Sequence, residues 1–197
     1  MTTDIRYGPG TALVVVDVQN DFADPKGSLY VEGGEIVVGR VNEEIEVARA
    51  AGGVVAYTQD WHPPSTPHFA KDGGVWPVHC VARTWGADFH PNLVVAGESV
   101  RKGTAGEDGY SGFTHRDPVT GAEASTGLAD LLRGHGVERV VIAGLATDYC
   151  VKDSALDAVR LGFATTVVGD AIAAVDLQPG DGSRAIEAMV GAGVVLA

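Results

Sequence analysis

The sequence predicts an α/β protein, a three-layer α/β/α sandwich around a mainly parallel sheet. Apolar, β-branched runs without polar alternation recur along the chain, as strands buried on both faces of a parallel sheet require. Amphipathic stretches at helical spacing separate them, and strands alternating with helices imply right-handed crossovers. The composition is 45% hydrophobic and 20% charged over 197 residues. That content supports a core and excludes disorder, and the length suits one domain spanning 1–197.

The leader, residues 1–10, carries Asp4 and Arg6. It has no apolar signal core, so it reads as a lead-in to the first strand and argues against export. Thr11 to Val18 is the first apolar strand, with Asp17 near its end. Gly34 to Ala51 places Ile36, Val37, Val41, Ile45 and Ala48 at helical spacing with its glutamates mostly opposite. Gly52 and Gly53 end that helix, and Val54 to Thr58 follows as a second strand.

Periodicity disappears over about 59–91, a stretch holding four of the six histidines and all three tryptophans. An irregular loop of that length, rich in aromatics, is a functional loop rather than a disordered one. Leu93 to Ala96 reads as a third strand, followed by a glycine-rich covering loop through Gly112. Regular alternation then returns. It runs as helix Thr126 to His135, strand Val137 to Ala143, helix Cys150 to Leu161, strand Ala164 to Val168, helix Gly182 to Ala192 and strand Val194 to Leu196.

The formal net charge of −12 disfavours a nucleic-acid or anionic-membrane partner. The longest apolar runs fall far short of the roughly 20 residues of a membrane span. Two cysteines, Cys80 and Cys150, read as reduced thiols in a cytoplasmic protein rather than a disulfide.

Ligands of open α/β sheets bind at the carboxyl ends of the strands. There the expected strands bring Asp17, Asp60 with His62, Lys102 and Cys150 to one rim. Cys150, opening a helix, is placed for a nucleophile whose pKa the free N–H groups lower. A small buried apolar residue is the alternative. Asp17 as proton acceptor and Lys102 as electrostatic partner suit attack on an amide carbonyl, against a capping aspartate and a solvated lysine. Asp60 and His62 share one side of an extended segment. With His68 and His79 they suit zinc, iron or manganese, unless these histidines, and His90, are only hydrogen-bonded. Gly103, Gly106, Gly109 and Gly112 match no phosphate-binding motif. Phe22, Trp76 and Tyr110 either wall a flat ring or simply pack.

Four segments carry a resemblance. They are Ala12-Leu13-Val14-Val15-Val16-Asp17-Val18-Gln19-Asn20-Asp21-Phe22, Thr58-Gln59-Asp60-Trp61-His62-Pro63-Pro64, Trp76-Pro77-Val78-His79-Cys80 and Ala143-Gly144-Leu145-Ala146-Thr147-Asp148-Tyr149-Cys150-Val151. In order and spacing they resemble the nicotinamidase/pyrazinamidase branch of the isochorismatase-like cysteine hydrolases, from about residue 11 to the C-terminus. The resemblance implies a Cys150, Asp17 and Lys102 triad, and one divalent metal held by Asp60, His62 and His79, with His68 matching a fourth ligand of some members. It also implies a cis peptide before Ala146 and an oxyanion hole from the N–H groups of Ala146 and Cys150. Phe22 and Trp76 match the walls of the pyridine pocket, and Tyr110 lies near it. The implied activity is hydrolysis of nicotinamide, and also of pyrazinamide, through a cysteine thioester in NAD salvage. The partner is then a small molecule, and a homo-oligomer is compatible with it. Isochorismatase itself and carbamoyl or ureido amidases compete, but generally lack the Asp-x-His and later histidine. A non-catalytic metal-binding module and a metal-activated water hydrolase are the other readings.

Overall fold

Two apolar faces on each central strand decide the layering. In the computed structural model, which describes residues 5 and 7–197, strand β1 (Thr11–Val16) is buried along its whole length. Asp4 and Arg6 of the leader lie outside the described residues. Leu13 and Val15 pack into one core with Val37, Val41, Ile45 and Ala48 of the long helix Gly34–Ala50. Ala12, Val14 and Val16 point the other way, against residues of the helices Leu128–Gly134, Lys152–Arg160 and Asp181–Gly191. Each such valine or leucine contributes about 1.5–3 kcal/mol on burial, and only helices on both faces bury them all. Three layers result.

The helices are α1 (Asn20–Ala23), α2 (Gly34–Ala50), α3 (Leu128–Gly134), α4 (Lys152–Arg160) and α5 (Asp181–Gly191). The remaining strands are β2 (Val54–Asp60), β3 (Glu98–Lys102), β4 (Thr114–Arg116), β5 (Glu123–Ser125), β6 (Arg139–Leu145), β7 (Ala164–Ala173) and β8 (Val195–Leu196). Six of the eight strands among the described residues, β1 included, form one parallel sheet in the order β3-β2-β1-β6-β7-β8. The chain leaves β1 to one side for β2 and returns on the other side as β6. A crevice opens where the order reverses, at the carboxyl ends of β1 and β6. Gly144 of β6 sits there at φ +123°, and a Cβ would fall on the Val16 carbonyl oxygen. Only glycine lets the two strands approach so closely.

Several expected elements move. The Leu93 to Ala96 strand is not one: the third strand is β3, which starts at Glu98. The apolar residues before it are held by the Tyr57 hydroxyl, which donates to the Val94 carbonyl at 2.9 Å and accepts from the Ala96 N–H at 3.0 Å. Lys102 therefore ends a strand instead of riding on the covering loop. β1 stops at Val16, whereas β2 runs on to Asp60 and β7 to Ala173. Ile36 is 66% exposed, and Val38 takes the inward place expected of it on α2. The helix expected from Cys150 starts at Lys152, and Cys150 lies in a π-helical turn, Thr147–Val151, that precedes it. β4 and β5 form a small antiparallel hairpin between Gly112 and Thr126, where the sequence pattern assigned no element. Among the described residues no helix is long and apolar enough to cross a membrane.

Candidate active site

β1 ends one residue before Asp17, whose backbone turns to φ 48°. A left-handed turn is uncommon for any residue but glycine and tolerated best by Asp and Asn. It carries the carboxylate to the crevice, fully buried. Thr58 on β2 holds it there: its hydroxyl donates to Asp17 Oδ1 at 2.6 Å and accepts the Asp17 N–H at 3.2 Å. Because β1 has stopped, Asp60 has no strand neighbour on that side. The buried Gln19 amide replaces it, accepting the Asp60 N–H at 2.8 Å and donating to the Asp60 carbonyl at 2.7 Å. Asp60 also pairs in register with Lys102 on β3, so the two side chains meet on one rim.

Lys102 is the hub. Its ammonium lies 2.9 Å from Asp17 Oδ2, contacts Asp60 Oδ1 and donates to Cys150 Sγ at 3.6 Å. Burial alone would strip its proton, but the two carboxylates outweigh it and hold its pKa well above the usual lysine range. Burial pushes Asp17 up against the pull of Lys102, with Asp60 adding to the rise. Asp60, equally buried, is held well below the carboxylate range by Lys102 and by His62 and His79. The Cys150 thiol is pushed well above its ordinary value by burial, which Lys102 does not overcome, and its sulfur lies within 4.8 Å of a carboxylate oxygen of Asp17 and of Asp60. Burial therefore works against the lowering expected from helix N–H groups. Burial thus favours the uncharged thiol, and a nearby proton acceptor would activate it.

On the other side of Asp60 stand the histidines. Asp60 Oδ2 lies 3.6 Å from His62 Nε2 and 3.8 Å from His79 Nε2. His62, His68 and His79 each bring a ring nitrogen within 4.8 Å of the others. His79 Nδ1 donates to the Pro77 carbonyl at 2.7 Å, and burial lowers its pKa to about 4, so the ring is neutral. Both nitrogens of His62 are buried without a hydrogen-bond partner among the described residues. Orphaned imidazole nitrogens facing two others and a carboxylate are costly for a plain core and fit a divalent ion. The loop bearing His79 is tied by Asp21, whose carboxylate accepts the Cys80 N–H at 2.7 Å and the Ser28 N–H at 3.0 Å.

Between the two clusters opens a cavity lined by Asp60, His68 and His79, by Cys150 and Ala146, and by Phe22, Trp76, Tyr110 and Tyr149. Trp76 Nε1 donates to the Tyr110 hydroxyl at 3.0 Å, and both rings meet Tyr149 edge-on. Every candidate residue named from the sequence is thus at this cavity or in the cluster behind it, and the Leu145–Ala146 peptide is cis. His90 is not among the lining residues, and Cys80 and Cys150 are both free thiols. Sequence reasoning passed over Thr58, Gln19, Asp21 and Tyr149. Gln19, Asp21 and Thr58 stand inside the quoted segments, where a polar residue amid a buried apolar run was the available signal.

The whole of residues 11–197 matches the Isochorismatase domain family model. The chain belongs to the isochorismatase family. Within it, the chain is 36% identical to the nicotinamidase of Escherichia coli (strain K12), covering 95% of this chain and 94% of that one. The pyrazinamidase of Pyrococcus horikoshii, solved in complex with zinc, superposes with a TM-score of 0.84 at 38% identity, over 96% of this chain and 99% of that chain. PnC1 from L. infantum, solved in complex with nicotinate, superposes with a TM-score of 0.87 at 36% identity, over 98% and 95%. The parallel six-stranded sheet is the isochorismatase-like fold expected from the sequence. The arrangement suits acyl transfer: a thiol, carboxylates near it, a cation beside both, and a cavity lined by aromatic rings.

Proposed function

We propose that this isochorismatase-family chain is a nicotinamidase, a cysteine amidohydrolase that converts nicotinamide to nicotinate and ammonia in NAD salvage and accepts pyrazinamide as well. One observation carries the reading: the Cys150, Asp17 and Lys102 cluster and the Asp60, His62, His68 and His79 cluster flank a single aromatic-lined cavity. The relatives' substrates and the free thiols support a small-molecule enzyme of the cytoplasm.

Phe22 and Trp76, with Tyr110 alongside, hold the pyridine ring. Asp17 takes the thiol proton as Cys150 Sγ bonds to the carboxamide carbon, so a free thiolate never has to persist in the buried site. The N–H groups of Ala146 and Cys150 receive the negative charge that develops on oxygen. Asp17 returns the proton to the nitrogen, the C–N bond breaks and ammonia leaves a thioester. Water then attacks that carbonyl, Asp17 takes its proton and passes it to the departing sulfur, and nicotinate is released. Lys102 stays charged throughout and keeps Asp17 ionised enough to act as a base. Asp60, His62 and His79 would hold a zinc, iron or manganese ion, joined by His68. Such an ion supplies a Lewis-acid anchor that binds and orients the ring nitrogen.

Ammonia release from nicotinamide is measured for the wild type and Cys150→Ala side by side at neutral pH. Release by the wild type alone is expected. Release by both moves the chemistry to a metal-bound water, and release by neither means the substrate is wrong.

A further inference from the structure

An imidazole that ligates a metal gives one nitrogen and needs its other N–H held, which fixes both tautomer and ring direction. The three histidines here are supported unequally. His79 Nδ1 is held by the Pro77 carbonyl, and His62 has no outer partner among the described residues. His68 Nδ1 lies 3.2 Å from Oδ1 of Asp108, a residue that no sequence motif singled out.

Asp108 is itself well fixed. Its Oδ1 accepts the Gly109 N–H at 2.9 Å, and its backbone N–H and carbonyl exchange both hydrogen bonds with Arg116 at 2.7 and 2.6 Å. The Arg116 guanidinium lies 3.6 Å from Oδ2. Arg116 ends β4, and β4 is anchored to α4 where the Thr114 hydroxyl donates to Asp157 at 2.6 Å. The carboxylate is therefore aimed by a hairpin. The His68 ring, whose side chain is only 8% exposed, stacks 5.0 Å from that of His62.

We infer that Asp108 is a positioning residue for the metal site: it takes the Nδ1–H of His68, leaves Nε2 as the donor nitrogen, and so makes His68 a ligand together with His62, His79 and Asp60. The inference rests on the metal-site reading above. A merely structural ion pair, one-third exposed as Asp108 is, would contribute little to stability and nothing to metal binding.

The test compares wild type, Asp108→Ala, Asp108→Asn, His68→Ala and the double variant His68→Ala/Asp108→Ala. Each is stripped of metal and titrated with zinc against a chromophoric chelator, and the thermal midpoints of the metal-free proteins are recorded. Asp108→Ala is expected to weaken zinc about 10–100-fold with little change in the metal-free midpoint. Asp108→Asn keeps the acceptor for Gly109 and loses the charge, so it falls between and carries the test should the alanine variant not fold. The double variant is expected to bind like His68→Ala alone, because the carboxylate acts only through that ring. Wild-type affinity in Asp108→Ala, or an equal loss in the His68→Ala background, overturns the inference. A wild type that takes up no zinc overturns the metal site beneath it.

Discussion

Thr58→Val removes a single hydroxyl in a shape-matched side chain, and its effect on the acid limb of the reaction follows from the geometry around Asp17. The hydroxyl is wholly buried and donates to Asp17 Oδ1 at 2.6 Å. This bond favours the charged carboxylate and so lowers a pKa that burial has raised. A hydrogen bond to a charged group contributes about 1.5–3 kcal/mol. At 1.36 kcal/mol per unit, its loss raises the Asp17 pKa by about one to two units. The base must be ionised to take the thiol proton, so kcat/KM is lost as pH falls through that pKa. The acid limb of Thr58→Val should therefore lie about one to two pH units above that of the wild type, with Thr58→Ser restoring it. The Asp17 N–H also loses its acceptor, a buried unmet donor costing about 1–3 kcal/mol, so the thermal midpoint should drop by several degrees. The assay is ammonia release from nicotinamide across the acid range for the three proteins. Superimposed acid limbs would refute Asp17 as the base and the role given to Thr58.

Because the thiol is held above its ordinary range and is deprotonated within the reaction, kcat/KM should stay level between about pH 7 and 9. A tenfold rise per pH unit there would mean that thiolate formation limits the rate. Metal removal with a chelator should raise KM for nicotinamide more than it slows iodoacetamide labelling of Cys150, and an unchanged KM would sink the ring-orienting role. Gly103 sits at φ +73° with the His62 ring 2.6 Å from where a Cβ would be. Gly103→Ala should therefore displace that ring and weaken zinc about tenfold or more, as a chelator competition would report; undiminished affinity would contradict the placement of His62.

Residues that act through their own chemistry were legible in the sequence, and those that act through a neighbour were not. Cys150, Asp17, Asp60 and His62 lie at or shortly after strand ends, His68 and His79 share one aromatic-rich loop, and their residue types suggest the chemistry proposed for them. β3 escaped because Glu98-Ser99-Val100-Arg101-Lys102 is a polar edge strand paired only to β2, whereas the more apolar Leu93 to Ala96 is held by the side chains of Tyr57 and Asn42. Periodicity registers burial, and an edge strand is only half buried. The thiol carries the same lesson: helix N–H groups can be read from a sequence, and the depth of burial that works against them cannot. Asp108 and Thr58 matter through partners 40 and 41 positions away, a separation that no local pattern encodes.

Asp60 spends its two oxygens on different clients, Oδ1 on the Lys102 ammonium and Oδ2 toward the histidines. A change at position 60 therefore strikes both clusters at once, removing the countercharge of Lys102 and the carboxylate that faces the histidines, whereas loss of any one imidazole leaves the Lys102 ion pair standing.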